Sequence, residues 1–406
     1  MNEQRQKNQL QLAFMMRDRD ESPKAVMRRA ESFAVKSKAE SPAKADGLME
    51  EILDPENLRE ALKRVKANKG SAGIDRMTVA KLSDYLKEHW PEIRERVLNG
   101  AYKPQPVSVA GETPVQLTRM NAAVLKDIEF GEASSFTFKG WNGEDVQAWR
   151  VNPPVFDANR KYPLLLLMHG GPENSWGNLF HYRWNAQLFA AAGYVVIEPN
   201  FHGSSGFGLK FMDAIKGQWG GAPYEDQMKA VDTALTWPFI DATRLAAAGA
   251  SYGGYMANWV EGHTDRFRAI VSHDGLFDII RMFYSSDFVG GIPQEFKGSL
   301  FENQQALINQ APATYASNFK TPMLVVHGGN DYRVDQSQGF AMFQALQAKH
   351  VPSKLLFFEN ENHWVLKPAD SILWYHTVLD WLEEWVKPDR AEYERRLQAA
   401  AAATAR

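Results

Sequence analysis

Cysteine is absent from the 406 residues, which excludes disulfides, thiolate metal sites and a cysteine nucleophile together. No apolar run approaches the ~18 residues that a spanning helix needs, so no membrane association is expected. The first sixteen residues, rich in Gln, Asn, Arg and Lys, lack the apolar centre of a secretory signal. A cytoplasmic location is therefore the expectation. A net charge of −3 is too small for a field that would mark the whole chain as nucleic-acid binding. Phosphate-loop chemistry is also missing. Gly203-Ser204-Ser205-Gly206-Phe207-Gly208 comes nearest but lacks a following Lys-Ser/Thr, and it reads as a rim loop of an active site. There is no internal repeat.

Apolar residues, by contrast, make up 44% of the chain and aromatics 12%, enough for a sizeable core. Charge is distributed unevenly. Residues 1–107 carry 21 Lys+Arg against 17 Asp+Glu, a net of +4, which leaves −7 for residues 108–406. Residues 1–48 mix both charges with Ser, Ala and Pro and hold no periodicity, so they read as a flexible lead. Residues 49–107 read as a small helical segment, with Asp54-Pro55-Glu56 as a helix start and Leu58, Leu62 and Val65 at helical spacing.

After Pro106 the pattern changes. Ser135–Phe138 and Val146–Val151 read as extended, joined by a turn at Trp141-Asn142-Gly143-Glu144. Then strand and helix alternate. Leu164–Met168, Val195–Ile197, Arg244–Ala248, Ala269–Val271, Met323–Val326 and Leu355–Phe358 are the apolar runs. Helical patterns lie at Glu225–Trp237, Tyr252–Glu261, Ser337–Lys349 and Ser371–Val386. That alternation predicts an α/β fold, a mostly parallel sheet with helices on both faces.

Three motifs follow strands. Gly249-Ala250-Ser251-Tyr252-Gly253, between a strand and a helix, has the context of a nucleophile elbow, although the motif alone is a weak signal. Asp331 follows Met323–Val326 and His363 follows Leu355–Phe358, 80 and then 32 positions further on. Ser, Asp, His in that order, each in a loop after a strand, predicts a catalytic triad. Ser251 attacks a carbonyl, His363 carries the proton, and Asp331 holds the imidazole tautomer. His169-Gly170-Gly171-Pro172 follows the first apolar strand. A glycine N–H from it, Gly170 or Gly171, together with the N–H of Tyr252, would make an oxyanion hole. His181, His202, His263, His273 and His327 show no metal-ligand spacing, so neither a metal nor a cofactor is expected.

These residues carry a resemblance. His169 to Pro172, Phe201 to Gly208, Gly249 to Tyr255, His273-Asp274-Gly275, Asp331-Tyr332-Arg333-Val334 and Glu361 to Trp364 are similar to motifs of the prolyl oligopeptidase family of serine peptidases. The acylaminoacyl-peptidase and dipeptidyl-peptidase-V-like branch is the nearest, over residues ~113–387. The resemblance implies an α/β-hydrolase domain at 126–387, the triad Ser251, Asp331 and His363, and Arg333 as the group that holds a substrate carbonyl. Where some relatives have a tyrosine that completes the oxyanion hole, this chain has His169. It also implies that a β-propeller, with its acidic anchor for a substrate amine, is missing. Residues 108–125 read as its remnant or a linker, 388–406 as an Ala-rich tail, and self-association through the bared face is expected. Tyr255, Trp259, Phe277, Phe283 and Tyr284 are candidate lining for an apolar substrate pocket, with Tyr255, Phe283 and Tyr284 put forward as binding residues.

Residues 1–107 resemble something unrelated, the N-terminal region of group II intron reverse transcriptases, in Leu48 to Gly70, Gly73-Ile74-Asp75 and Tyr85 to Val107. No Tyr-x-Asp-Asp follows, so reverse transcription is excluded. Weak RNA contact through Lys63, Arg64, Lys66 and Lys69 is opposed by eleven basic against ten acidic residues in 49–107. The chain reads as a gene fusion. The leading expectation is a serine peptidase acting on a short peptide or acyl-peptide through an acyl-enzyme. The alternatives are a non-peptidase carboxylesterase, or an inactive fusion with weak RNA binding.

Overall fold

The structure is a computed structural model. It describes residues 125–404 except His181, Val289, Lys297 and Ser299, and also Lys63, Tyr85, Leu86 and Trp90. The chain divides into two units, and the fold below belongs to the one that holds residues 123–406. The readings of a flexible lead at 1–48, of a reverse-transcriptase-like segment at 49–107 and of a propeller remnant up to residue 124 lie outside the described residues, those few positions aside.

Eight strands form one sheet: β1 (Ala133–Lys139), β2 (Asp145–Val151), β3 (Tyr162–Met168), β4 (Val195–Pro199), β5 (Ile240–Ala250), β6 (Ala269–His273), β7 (Met323–Gly328) and β8 (Ser353–Phe358). Their order is β1-β2-β4-β3-β5-β6-β7-β8. The hairpin β1–β2 closes where Asn142 and Gly143 both take positive φ, and β2 runs antiparallel to β4. From β4 through β8 every pairing is parallel.

All seven residues of β3 are buried, as a strand covered on both faces requires. Its alternation divides them. Leu164, Leu166 and Met168 point to one core, Leu165 and Leu167 to the other. Helices α2 (Ala222–Leu235), α3 (Tyr252–His263) and α4 (Ser337–Ala348) cover the first face. Helices α1 (Ala186–Ala191), α5 (Pro368–Val386) and α6 (Arg390–Thr404) cover the second. In α5 the residues Trp374, Val378, Trp381, Leu382 and Trp385 recur at helical spacing and are all buried. Each such side chain contributes about 2–3 kcal/mol on leaving water. The architecture is the α/β-hydrolase fold.

The segment from Asp389 is helical, one of the two forms its Ala-rich composition allows, the other being a frayed end. It forms α6, which docks by burying Tyr393 under the Arg268 guanidinium, 5.0 Å from the ring centroid, while Arg268 donates to Pro388 O. Its docking was not legible, because the anchor is one aromatic rather than a periodic stripe.

Candidate active site

The parallel strands leave their C-terminal ends on one side of the sheet, and the loops that follow them carry the chemistry. Ser251 leaves β5 with φ 60° and ψ −119°, a left-handed conformation strained for a residue with a side chain. Its N–H donates to His273 O at 2.9 Å, and its carbonyl accepts from Tyr255 N at 2.8 Å. The turn is possible because α3 approaches the sheet backbone to backbone. A Cβ on Gly253 would collide with Met168 O, and one on Gly249 with Gly253 itself.

Asp331 follows β7 and is buried. Its Oδ1 accepts the N–H groups of Arg333 and Val334, both at 2.9 Å, which leaves Oδ2 for His363 Nδ1 at 2.7 Å. A carboxylate facing Nδ1 fixes that nitrogen as the N–H donor and leaves Nε2 able to take a proton. The two loops are tied together, since Asn330 N donates to Glu361 O at 2.8 Å. The buried Glu361 carboxylate in turn accepts from Leu366 N and Lys367 N, at 3.0 and 3.1 Å. Burial lowers the His363 pKa, but the Asp331 bond and charge outweigh it, so the net shift is upward.

Ser251 and His363 open on the same cavity of about 560 Å³. No hydrogen bond joins their side chains. Such bonds are often long in a free enzyme and tighten around substrate. Gly170 lies beside the serine, and a Cβ there would sit 3.2 Å from Ser251 Cβ. Tyr252 N–H, in the first turn of α3, has no acceptor within its helix. Gly170, Gly171 and Tyr252 all line the cavity that Ser251 opens on.

His169 does not face this space as a charged group. It stacks on Phe201 at 4.1 Å, donates Nδ1–H to Gly170 O at 2.9 Å and accepts from Ser204 Oγ at 2.8 Å. Burial pushes its pKa down to about 4. The 203–208 loop, expected at the rim, does not line the cavity. Ser204 instead braces His169, and Ser205 N donates to Asn174 O at 2.9 Å, so the loop supports the wall from behind.

The expected aromatic pocket is corrected. Tyr255 is fully buried, with its hydroxyl bonded to Gln310 O. Trp259 and Phe277 are core, Phe283 packs against the edge of Phe301, and Tyr284 is 66% exposed; none of the five lines the cavity. Helix α3 is buried on all sides, so its aromatic spacing reported burial and not a substrate face. The apolar lining comes instead from Trp219, Leu276, Met282, Phe288 and Val334. Arg333 does line the cavity, lying 5.1 Å over the Phe288 ring and bonded through Nε to Asp287 at 2.6 Å.

The sequence reading missed two acids. Glu173 and Glu295 both line the cavity and interact electrostatically. Burial, with the Glu173 carboxyl beside it, raises Glu295 to about 7 against the opposing Trp219 N–H bond of 3.1 Å. The acid after His169-Gly170-Gly171-Pro172 was visible, but nothing local linked it to residue 295. Asp274, His327 and Asp331 also bring one ligand atom each within 4.8 Å of one another, a proximity that spacing did not reveal. Their atoms are largely engaged otherwise: both Asp331 oxygens as above, and His327 Nε2 on Val334 O at 2.8 Å.

Comparison with known proteins places the chain among peptidases. Dipeptidyl-peptidase 5 of Schizosaccharomyces pombe is 39% identical over 280 residues, 67% of this chain and 41% of that protein. Dipeptidyl-peptidase 5 of Porphyromonas gingivalis is 36% identical over 291 residues, 70% of this chain and 42% of that protein. The solved acylaminoacyl peptidase of Pyrococcus horikoshii superposes with a TM-score of 0.64 at 26% identity, covering 67% of this chain and 44% of that one. The chain thus spans about two fifths of the length of the curated relatives it matches. The profile of the prolyl oligopeptidase family matches residues 180–389, which include Ser251, Asp331 and His363, and this chain belongs to that family.

Proposed function

We propose that this chain is a serine hydrolase that cleaves the acyl bond of a short peptide, acyl-peptide or ester through Ser251, His363 and Asp331. The observation that carries the reading is the elbow serine and the Asp331-bonded imidazole opening on one cavity with two glycine-loop residues. Ser251 Oγ attacks the substrate carbonyl as its proton passes to His363 Nε2. The oxyanion is met by the N–H of Tyr252 and that of Gly170 or Gly171. Collapse expels the leaving amine or alkoxide, which takes the proton from His363. Water, deprotonated by the same imidazole, then releases the acid. Arg333 holds a substrate carbonyl upstream of the scissile bond.

A fluorophosphonate probe tests this on the purified chain beside Ser251→Ala. Labelling of the folded wild type that vanishes in the variant is expected, with hydrolysis of aminoacyl anilides falling at least about 10³-fold. Equal labelling of both would reject Ser251 as the nucleophile.

A further inference from the structure

Behind the His363–Asp331 pair lies a second carboxylate that these steps do not use. Asp274 follows β6 directly and is completely buried, with a left-handed φ of 45°. Gly275 after it is pressed onto α3. A Cβ on Gly254 would meet Gly275 Cα at 2.6 Å, so this turn packs backbone to backbone on the helix that begins at the nucleophile. Asp274 N donates to Val326 O at 2.9 Å, and Oδ1 accepts Gly328 N at 3.0 Å, which holds the carboxylate against β7.

Oδ2 has no hydrogen-bond partner although it is wholly buried. It stands 3.0 Å from His273 Nε2 and 3.9 Å from His363 Nδ1. Oδ1 stands 3.7 Å from His327 Nδ1, and His327 Nε2 is 3.8 Å from Asp331 Oδ2. The groups facing Asp274 are therefore His273 from β6, His327 from β7, and His363 with Asp331 from the loops after β8 and β7. Among the described residues its ion-pair partners are imidazoles alone. Burial opposes its ionisation, yet the neighbouring histidines hold its pKa below the usual carboxylate range. Trp184 and Trp374 lie beside His273, with ring centroids 6.0 and 5.9 Å away.

Sheet register explains the convergence. His273 pairs with Val326 on the parallel neighbour β7, so the turns after β6 and β7 emerge side by side and both reach the one imidazole. Asp331 wins the hydrogen bond at 2.7 Å because its loop is tied to that of His363.

Resting on the reading of Ser251 and His363 above, we propose that Asp274 is a second acid of this centre, a positioning residue. It shares with Asp331 the stabilisation of the His363 imidazolium, and it receives the Nδ1–H bond when Asp331 is removed. No proton is transferred to it. The proton goes from Ser251 to His363 Nε2 and on to the leaving group, while both carboxylates stay ionised.

The test uses the full chain as Asp274→Asn, Asp331→Asn, the double variant and Ser251→Ala, each checked for folding by near-UV circular dichroism. Hydrolysis of p-nitrophenyl acetate and the rate of fluorophosphonate labelling are followed against pH. Asp331→Asn is expected to keep a rate at least tenfold above the double variant. Asp274→Asn alone should move the acid limb of kcat/KM to lower pH, because a negative charge beside the imidazole is lost. A double variant no slower than Asp331→Asn, with an unmoved acid limb in Asp274→Asn, overturns the proposal. Should Asp274→Asn not fold, the His363 titration followed by NMR in Asp331→Asn decides. A pKa still above 6.5 supports a second acid, and one below it overturns the idea. Persistent labelling of Ser251→Ala would instead remove the underlying reading, which keeps the two failures apart.

Discussion

At the scale of the residue, His363 works against its own burial. Desolvation disfavours the imidazolium, whereas Asp331 at 2.7 Å and the Asp274 charge favour it, and Arg333 opposes them. The base must be neutral to accept the serine proton, so kcat/KM falls as pH drops through this raised pKa. Arg333→Gln removes an opposing cation and should move the acid limb to higher pH while raising KM for peptides. A pH profile of kcat/KM with a peptide anilide and with a small ester reads both effects, and an unchanged KM would deny Arg333 its contact with substrate. Glu295 and Glu173 supply a second residue-scale prediction. Glu295, raised to about 7 chiefly by burial, is ionised by an incoming ammonium, so peptides with a free amine should be preferred over their N-acetyl counterparts. Glu295→Gln should shrink that ratio about tenfold, the effect of one charge-assisted hydrogen bond. An unchanged ratio would assign the pair no part in specificity.

At the scale of the element, the elbow depends on α3 touching β3. Gly253→Ala places a methyl group against Met168 O and within 3.1 Å of His169 O, both backbone atoms that cannot swing away. The helix start must shift, at a cost of about 1–3 kcal/mol. A lower Tm together with a disproportionate loss of fluorophosphonate labelling is expected, because the shift moves Ser251 itself. Full labelling at reduced Tm would mean the strain relaxes elsewhere. The strand–helix order needed no tertiary knowledge, since buried parallel strands read as unbroken apolar runs and α5 repeats Trp and Leu on one face. Boundaries shifted at the ends, with β5 running from Ile240 to Ala250 rather than starting at Arg244. Asp241 and Thr243 are polar because that end of the strand is solvated.

At the scale of the whole molecule, buried titratable groups set opposite limits on stability. Burial depresses His169 to about 4, so the unfolded chain takes up a proton that the fold refuses, and stability is lost as pH falls from 6.5 toward 4. Glu198, buried in β4, is raised to about 8. The fold keeps its proton where the unfolded chain releases it, so stability is full below 4.5 and lost as pH rises through 8. Scanning calorimetry across pH should show maximal Tm on the acid side of neutrality, and Glu198→Gln should flatten the alkaline slope in part, because Glu261, buried in α3, is also raised to about 8. An undiminished slope in that variant would deny Glu198 a part in it.

The sequence by itself determined which residues stand after which strands. Ser251, Asp331 and His363 occupy loops at strand ends that a parallel sheet gathers on one side, so that placement was legible without knowing a single distance. The glycines at 170, 249 and 253 were legible for the same reason, because a close approach admits no other residue. Tertiary structure alone decided which aromatics face the cavity, because Tyr255 and Trp219 are both buried and only their placement separates core from lining. It also decided that Glu173 meets Glu295 and that Asp274 turns toward His363. Those pairs join positions 122 and 89 residues apart, and no local pattern encodes a contact made by register and loop convergence.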